Sequence, residues 1–127
     1  MGGTNDRRVL IVDDAPDSRM LIRLQLDSAA RYDIVGEAVD GLDAVKQARD
    51  LQPNLVLLDI DMPRMDGLAA LPLIRDAAPD VRVIVMSAHQ QGTYEDDALA
   101  AGADRYVVKG ITRHDLLEVI ETVLAAA

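Results

Sequence analysis

The sequence contains no cysteine, no phenylalanine and no tryptophan, and tyrosine occurs only three times. Without cysteine, disulfide bonds and thiolate metal sites are excluded. Because 50% of the 127 residues are nevertheless hydrophobic, a core can form, and it must be built from aliphatic side chains. The length fits one domain of common size, and we expect a single domain over residues 1–127 with an ordered core over about 8–126.

Targeting signals and basic patches are also missing. No apolar region of signal-peptide length follows the first eight residues, MGGTNDRR, and no apolar run approaches the length of a membrane span. Position 6 is Asp6, where a myristoylation signal requires Ser or Thr. The formal net charge of -9 argues against nucleic acid and anionic membrane as direct partners, since both require basic surfaces. We therefore expect a cytoplasmic protein.

Five short apolar runs recur along the chain, and each has the length of a strand. Their continuous apolarity, without alternation, is typical of strands buried on both faces, as in a parallel sheet. The runs cover residues 9–12, 34–35, 55–58, 83–86 and 106–108.

Amphipathic stretches lie between these runs, so the pattern predicts five βα units, with helices on both faces of a parallel sheet. Three sets of residues fall at helical spacing: Met20, Leu21, Leu24 and Ser28; Leu42, Val45 and Ala48; and Leu116, Leu117, Ile120, Val123 and Leu124.

Local signals mark the helix ends. Thr112 with Asp115 three residues later is a capping-box pattern, and Gly102 is typical of a glycine that ends a helix. Pro72 lies inside the third predicted helix, where it predicts a kink or a late helix start.

Polar side chains follow four of the five predicted strands. Asp13 and Asp14 follow the first, Asp59 and Asp61 the third, Ser87 the fourth and Lys109 the fifth. Ligands of open α/β sheets bind at the carboxyl ends of the strands, so we expect these groups to share one site. Asp40 and Gly41, after the second strand, have the character of ordinary turn residues.

Clustered carboxylates at such a site repel one another, and a hard divalent cation relieves that repulsion. An all-oxygen ligand set without Cys or His favours Mg²⁺, with Mn²⁺ as an alternative. Lys109 and Ser87 could then hold a phosphoryl group opposite the metal. Each residue alone has a simpler explanation: Asp13 and Asp14 as a helix cap before Pro16, the others as loop residues. Their joint placement favours function.

Four segments together resemble the response-regulator receiver domain, the chemotaxis-regulator-like family. They are residues 9–14 (VLIVDD), 57–67 (LLDIDMPRMDG), 85–88 (VMSA), and Gly102-Ala103 leading into 106–109 (YVVK). The resemblance covers nearly all of the chain from about Arg8. It implies a flavodoxin-like three-layer sandwich, with a five-stranded parallel sheet in the order 2-1-3-4-5.

The resemblance also implies roles for the site. Asp59 would take a phosphoryl group from a phosphohistidine of a histidine kinase or histidine phosphotransfer protein. Asp14, Asp59 and the backbone carbonyl of Asp61 would bind Mg²⁺ directly, and Asp13 largely through water. Lys109 would contact the phosphoryl oxygen.

The resemblance further implies a switch. Ser87 would reach toward the phosphoryl group, and Tyr106 would turn inward to fill the vacated space; Tyr106 could otherwise be a plain core aromatic. Helix 4, strand 5 and helix 5 would form the output surface, acting on a downstream protein, an attached output domain or a second copy of the chain.

The sequence departs from the family at position 110, where the usual proline, in a cis peptide bond, is replaced by Gly110. We predict either a trans Lys109–Gly110 bond with a rearranged loop or a strained cis bond. Receivers attached to helix-turn-helix regulators often lack this proline, and the sequence leans toward that subgroup. Asp61 and His89 flank the site, and we expect them to tune the lifetime of the phosphoryl group, although His89 could simply be an exposed loop residue.

Two other functions remain open at this point. Asp59-x-Asp61 after an apolar strand is similar to the motif of haloacid-dehalogenase phosphatases, but its position in mid-chain and Pro63 argue against an enzyme. A receiver-like adaptor that needs no phosphate is the second alternative, against which the complete acidic set argues. A stand-alone receiver and a receiver excised from a longer transcription factor both fit the sequence.

Overall fold

Strands and helices alternate along the computed structural model of the chain, which describes residues 7–27, 31–62, 67–89 and 94–126. The strands are β1 (Arg8–Val12), β2 (Asp33–Ala38), β3 (Leu55–Asp59), β4 (Arg82–Ser87) and β5 (Arg105–Val108). The helices are α1 (Pro16–Asp27), α2 (Gly41–Leu51), α3 (Gly67–Ala77), α4 (Glu95–Ala101) and α5 (Arg113–Ala125). The predicted order of five βα units is confirmed.

The five strands form one parallel sheet in the order β2-β1-β3-β4-β5. Every residue of β3, the middle strand, is buried, which agrees with the continuous apolarity of its sequence. The fold and strand order that the resemblance implies are both confirmed.

Helices cover both faces of this sheet. Along β1, Leu10 and Val12 pack in a core with residues of α2, α3 and α4, whereas Val9 and Ile11 pack in a second core with residues of α1 and α5. Alternate residues of a strand point to opposite faces, so a strand buried on both sides contributes to both cores. The result is the expected three-layer sandwich.

The apolar face of α1 differs from the one that the spacing suggests. Met20, Leu21 and Leu24 are 63%, 55% and 60% exposed, whereas Ile22 and Leu26 are buried. The helix carries two apolar stripes. Only the stripe of Ile22 and Leu26, which lie four residues apart, packs against the sheet. Ser28, the last residue of the predicted set, lies outside the described residues.

The first turn of α2 likewise departs from the prediction, because Leu42 is 59% exposed while Ala44 and Ala48 are buried. Asp40 is more than a turn residue: its side chain accepts a hydrogen bond from the Asp43 amide and caps the helix. The predicted face of α5 is confirmed, with Leu116, Ile120 and Val123 buried.

The predicted helix ends agree with the structure, except at Pro72. Gly102 ends α4 with a positive φ of 115°, and the Thr112 hydroxyl accepts a hydrogen bond from the Asp115 amide at the start of α5. The expectation of a late start for α3 is wrong, since the helix begins at Gly67 and continues through Pro72. The alternative, a kink at Pro72, stays a prediction.

Among the described residues, no helix combines the length and the apolarity needed to cross a membrane.

Candidate functional site

The parallel sheet places the predicted site residues at one edge. Asp59 and Ser87 are the last residues of β3 and β4, while Asp13 and Lys109 directly follow β1 and β5. Because β1, β3, β4 and β5 are neighbours in the sheet, their carboxyl ends deliver these side chains side by side. Pro63, Arg64, Met65 and Asp66, which belong to the motif of the resemblance, lie outside the described residues.

Three carboxylates converge at this edge. Asp13, Asp14 and Asp59 each offer an oxygen, and these atoms all lie within 4.8 Å of one another. Asp13 and Asp59 are only 1% and 2% exposed, whereas Asp14 faces solvent. Two buried carboxylates with an exposed third at the entrance form an acidic pocket.

A divalent cation fits this pocket. Asp13 Oδ1 accepts a hydrogen bond from the Ala15 amide, but its buried Oδ2 makes no hydrogen bond of good geometry. The Lys109 ammonium lies 3.2 Å from this oxygen, but its single positive charge does not balance three carboxylates, and a divalent cation would balance the remainder. The donors are all oxygens, which is the ligand set of Mg²⁺ and Mn²⁺. Asp13, Asp14 and Asp59 are therefore the residues that would hold the metal.

Asp59 lies in an environment that resists its ionisation. Burial raises the pKa of the Asp59 carboxyl, a hydrogen bond from the Asp61 amide to Oδ1 (2.8 Å) partly offsets this, and the neighbouring charge of Asp13 raises the pKa further. A cation beside Asp59 would oppose both the burial and the repulsion, and so favour the carboxylate form.

Lys109 supplies such a cation. Its Nζ lies 3.2 Å from Oδ2 of Asp13 and 3.2 Å from Oδ2 of Asp59. Burial alone would lower the pKa of the Lys109 ammonium, but the two carboxylates outweigh it, and the pKa is raised. Lys109 is therefore charged at neutral pH and directed into the pocket.

Gly110 gives the Lys109 loop its shape. The Lys109–Gly110 bond is trans, and Gly110 has a φ of 96°, a conformation that favours glycine. Of the two alternatives drawn from the missing proline, the trans bond with a loop that uses the freedom of glycine is confirmed, and the strained cis bond is wrong. The Lys109 amide also donates to the Ser87 carbonyl (2.7 Å), so β5 remains attached to β4 up to the site.

Ser87 makes a different contact from the one expected for a phosphorylated site. Its hydroxyl is buried and donates to Oδ2 of Asp61 (3.2 Å), which also accepts from the Ala88 amide (3.1 Å). Asp61 thus brings its side chain to the end of β4, whereas the resemblance gives a metal role to its backbone carbonyl.

His89 is half exposed, yet it has partners. Its Nε2 lies 3.5 Å from Oδ1 of Asp61, and its ring meets that of Tyr94 edge-on, with 4.9 Å between centroids. The plain description as an exposed loop residue is therefore incomplete.

Tyr106 is buried, with 3% of its surface exposed, and its hydroxyl donates to the His89 carbonyl (2.9 Å). The inward position that the resemblance assigns to the phosphorylated protein is thus the one described here. An inward turn driven by phosphorylation stays a prediction.

Two residues next to the site had no structural role assigned to them from the sequence. Arg19 of α1 donates to the backbone carbonyl of Asp13 (2.7 Å) and to Glu37 of β2 (3.0 Å), and so holds the acidic loop. Gly67, the first residue of α3, packs so closely that an added Cβ would lie 2.6 Å from the Asp59 carbonyl oxygen. A positively charged residue in the first turn of the helix after an acidic loop was a usable signal for Arg19. Gly67 is the last residue of segment 57–67, which carries the resemblance, but its close packing against Asp59 had no signal in the sequence.

The chain matches one family of known proteins over most of its length. Residues 9–121 match the family described as the response regulator receiver domain. The chain is similar to the chemotaxis protein CheY of Thermotoga maritima, with 37% identity over 92% of this chain and 97% of that protein. It is also similar to a protein-glutamate methylesterase/protein-glutamine glutaminase of Geobacter sulfurreducens, with 40% identity over 86% of this chain but only 30% of that protein.

Among solved structures, the receiver domain of the putative response regulator NarL from Mycobacterium tuberculosis is similar throughout. Its TM-score is 0.90 at 29% identity, and the match covers 98% of this chain and all of that domain.

Proposed function

The chain belongs to the response regulator receiver domain family, and from that premise we propose that Asp59 is the residue on which it accepts a phosphoryl group. Receiver domains of this family serve two-component signalling, and phosphoaspartate and Mg²⁺ binding are typical of them. The observation that carries the assignment is the position of Asp59: a carboxylate 2% exposed, beside Asp13 and Asp14 and 3.2 Å from the Lys109 ammonium.

The proposed donor is a phosphohistidine on a histidine kinase or a histidine phosphotransfer protein. An Asp59 carboxylate oxygen forms the new O–P bond while the N–P bond of the phosphohistidine breaks, and the electron pair of that bond returns to the imidazole. Lys109 holds its positive charge where the phosphoryl oxygens would lie, which stabilises charge in the transition state. Mg²⁺, when bound, supplies further positive charge to the same oxygens.

The metal ligands are proposed as Asp13, Asp14, Asp59 and the backbone carbonyl of Asp61. Asp14 and Asp59 would contact the ion directly and Asp13 largely through water, in keeping with the few protein ligands that Mg²⁺ takes. The chain would not act as an enzyme on other molecules; it would catalyse only its own phosphorylation and dephosphorylation.

The output surface is proposed as α4, β5 and α5. A groove of about 410 Å³ is lined by β5, by the loop from Lys109 to Ile111 and by Val119 of α5, so this surface borders the site. Tyr106 lies in β5 and bonds to the His89 carbonyl after β4, which would relay a change at Ser87 to the surface. A downstream protein, an attached output domain and a second copy of the chain are the proposed recipients.

The test is phosphorylation by acetyl phosphate in the presence of Mg²⁺, followed by measurement of the intact mass. The wild type should gain the mass of one phosphoryl group, while Asp59→Asn should gain none. Asp27→Asn, which changes the same functional group at the exposed end of α1, is the matched control and should behave as the wild type.

Three results would contradict the proposal. A wild type without adduct would favour the phosphate-independent adaptor, and an adduct that persists in Asp59→Asn would move the acceptor elsewhere. Turnover of a small phosphate ester under the same conditions would instead indicate a phosphatase of the haloacid-dehalogenase type.

A further inference from the structure

The carboxylate of Asp61 accepts the hydrogen bond that the Ser87 hydroxyl donates. Oδ2 accepts from Ser87 Oγ at 3.2 Å and from the Ala88 amide at 3.1 Å, and Oδ1 lies 3.5 Å from Nε2 of His89. One side chain, that of Asp61 just after β3, therefore accepts hydrogen bonds from Ser87 and Ala88 and contacts the ring of His89. No role in the proposed phosphoryl transfer requires these contacts.

The Ser87 hydroxyl has no further proton to donate in this arrangement. It donates its single proton to Asp61 and accepts a hydrogen bond from the His89 amide (3.1 Å), and no part of Ser87 is exposed to solvent. A hydroxyl group has one proton to donate. Ser87 therefore cannot donate to a phosphoryl oxygen on Asp59 and to Asp61 at the same time.

The same segment is connected to the proposed output surface. The carbonyl of His89 accepts from the Tyr106 hydroxyl, and the His89 ring contacts Tyr94, the residue before the first turn of α4. Release of Ser87 from Asp61 would thus affect residues that contact both β5 and α4.

From these contacts we propose that Asp61 is a positioning residue that competes with the aspartyl phosphate for the Ser87 hydroxyl. This inference rests on the proposed function, in that it takes Asp59 as the acceptor. In the unmodified protein Asp61 retains Ser87, and the bond between them must break before Ser87 can contact the phosphoryl group. The free energy needed to break the bond between Ser87 and Asp61 therefore reduces the stabilisation that contact between Ser87 and the phosphoryl group provides.

The charge of Asp61 gives the competition a direction. The Asp61 carboxylate lies 3.2 Å from the Ser87 hydroxyl, so a phosphoryl group on Asp59 that came into contact with Ser87 would bring negative charge toward the Asp61 carboxylate. Like charges repel, so phosphorylation would destabilise the Asp61 carboxylate in its present position. The phosphoryl group would also provide a new acceptor for the Ser87 hydroxyl. The two effects act together to transfer the hydroxyl from one acceptor to the other.

The first experiment measures how strongly Asp61 stabilises the segment after β4 when neither metal nor phosphoryl group is bound. In the presence of a chelator, amide hydrogen exchange at Ala88 should be roughly twofold to tenfold faster in Asp61→Ala than in the wild type, the loss of one net hydrogen bond. Asp50→Ala, which removes an equal charge at an exposed position of α2, should leave the Ala88 rate unchanged. An unchanged rate in Asp61→Ala would overturn the inference.

The second experiment uses beryllofluoride with Mg²⁺ as a phosphoryl analogue that is not hydrolysed. Four proteins are titrated calorimetrically: the wild type, Asp61→Ala, Ser87→Ala and the double variant. Asp61→Ala should tighten binding by roughly twofold to tenfold when Ser87 is present. In the Ser87→Ala background the gain should shrink to the part that comes from the lost negative charge alone, because there is no hydroxyl to release.

The outcomes separate this inference from the proposed function. If the wild type bound no beryllofluoride, the proposed function would fail and the competition with it. Binding by the wild type with the same gain from Asp61→Ala in both backgrounds would overturn the competition alone. So would an Asp61→Ala variant with unchanged beryllofluoride affinity and altered dephosphorylation, since that result indicates a role in positioning the hydrolytic water.

Discussion

The ammonium of Lys109 lies 3.2 Å from Oδ2 of Asp59, the carboxylate to which we assign phosphoryl acceptance. The same ammonium lies 3.2 Å from Oδ2 of Asp13, so one cation compensates two carboxylates that are almost completely buried. A metal ion and Lys109 would both approach these carboxylates, and each therefore affects how firmly the other is held.

Substitution of Lys109 separates its effect on the stability of the metal-free protein from its effect on Mg²⁺ affinity. Lys109→Gln leaves Asp13 and Asp59 without their cation, so the metal-free variant should be less stable by roughly 1–3 kcal/mol. The same change removes a positive charge from the metal site, and Mg²⁺ should bind roughly tenfold more tightly. Chemical denaturation with a chelator and calorimetric titration with MgCl₂ measure the two quantities.

Lys46→Gln, a substitution of the same kind in α2, is the control for Lys109→Gln and should change neither quantity. Weaker Mg²⁺ binding in Lys109→Gln would show that Lys109 organises the carboxylates more than it repels the ion.

Two glycines at the site are required for different reasons. Gly110 has a φ of 96°, with no atom within 4 Å of an added Cβ, so Gly110→Ala strains only the backbone and should cost about 1–2 kcal/mol. At Gly67 an added Cβ would meet the carbonyl oxygen of Asp59 at 2.6 Å and the Cα of Ile60 at 2.7 Å. Gly67→Ala must therefore displace backbone, at a cost of about 2–3 kcal/mol.

Metal binding distinguishes the two substitutions. Gly67→Ala displaces the end of β3, so it should weaken Mg²⁺ binding as well as stability, whereas Gly110→Ala lies beside Lys109 and should leave the carboxylate ligands in place. Thermal unfolding with and without Mg²⁺ compares them. An equal loss of Mg²⁺ affinity in both variants would show that the Gly110 loop also positions the carboxylates.

Much of the fold and of the site could be predicted from the sequence because the apolar runs identify the strands and the residues that follow them identify the site. Asp13, Asp59, Ser87 and Lys109 each stand at the end of an apolar run, and parallel pairing necessarily brings such positions together. The structure places all four at one edge. Their roles in phosphoryl transfer stay predictions, since geometry alone does not show a reaction.

Other features depend on contacts between distant segments, which spacing does not report. The hydrogen bond from Ser87 to Asp61 joins β4 to the loop after β3, and the packing of Gly67 against Asp59 depends on how α3 meets β3. The exposed face of α1 was missed for a related reason. Its sequence has two apolar stripes, and only the packed structure shows that Ile22 and Leu26, rather than Met20 and Leu21, face the sheet.

Substitutions in the two apolar stripes of α1 should change stability by very different amounts. Leu26→Ala removes a fully buried side chain and should destabilise the protein by about 2–5 kcal/mol. Leu24→Ala, the same change at a side chain 60% exposed, should change stability by no more than about 0.5 kcal/mol. Urea denaturation of both variants measures the difference; comparable losses would mean that Leu24 is covered in solution.

A network at the opposite end of the sheet joins the residues that precede β1 and β2, Arg7 and Tyr32, to α5. Glu121 of α5 accepts hydrogen bonds from Arg7 and from the hydroxyl of Tyr32. These bonds, chiefly the one from Arg7, lower the pKa of Glu121 from its usual 4.5 to about 2. Burial and the hydrogen bond to Glu121 raise the pKa of Tyr32 to about 12.

The network predicts an acid-sensitive part of the stability. Since folding lowers the pKa of Glu121, its contribution is fully present above the unfolded value near 4.5 and is lost as the pH falls from there to about 2. Glu121→Gln should therefore be less stable than the wild type at pH 7, by about 1 kcal/mol because the group is partly solvent-exposed, and the difference should vanish near pH 2. Glu118→Gln, at an exposed position of the same helix, should show no such convergence. Urea denaturation between pH 2 and pH 7 measures both curves, and a Glu121→Gln curve parallel to that of the wild type would exclude Glu121 as the titrating group.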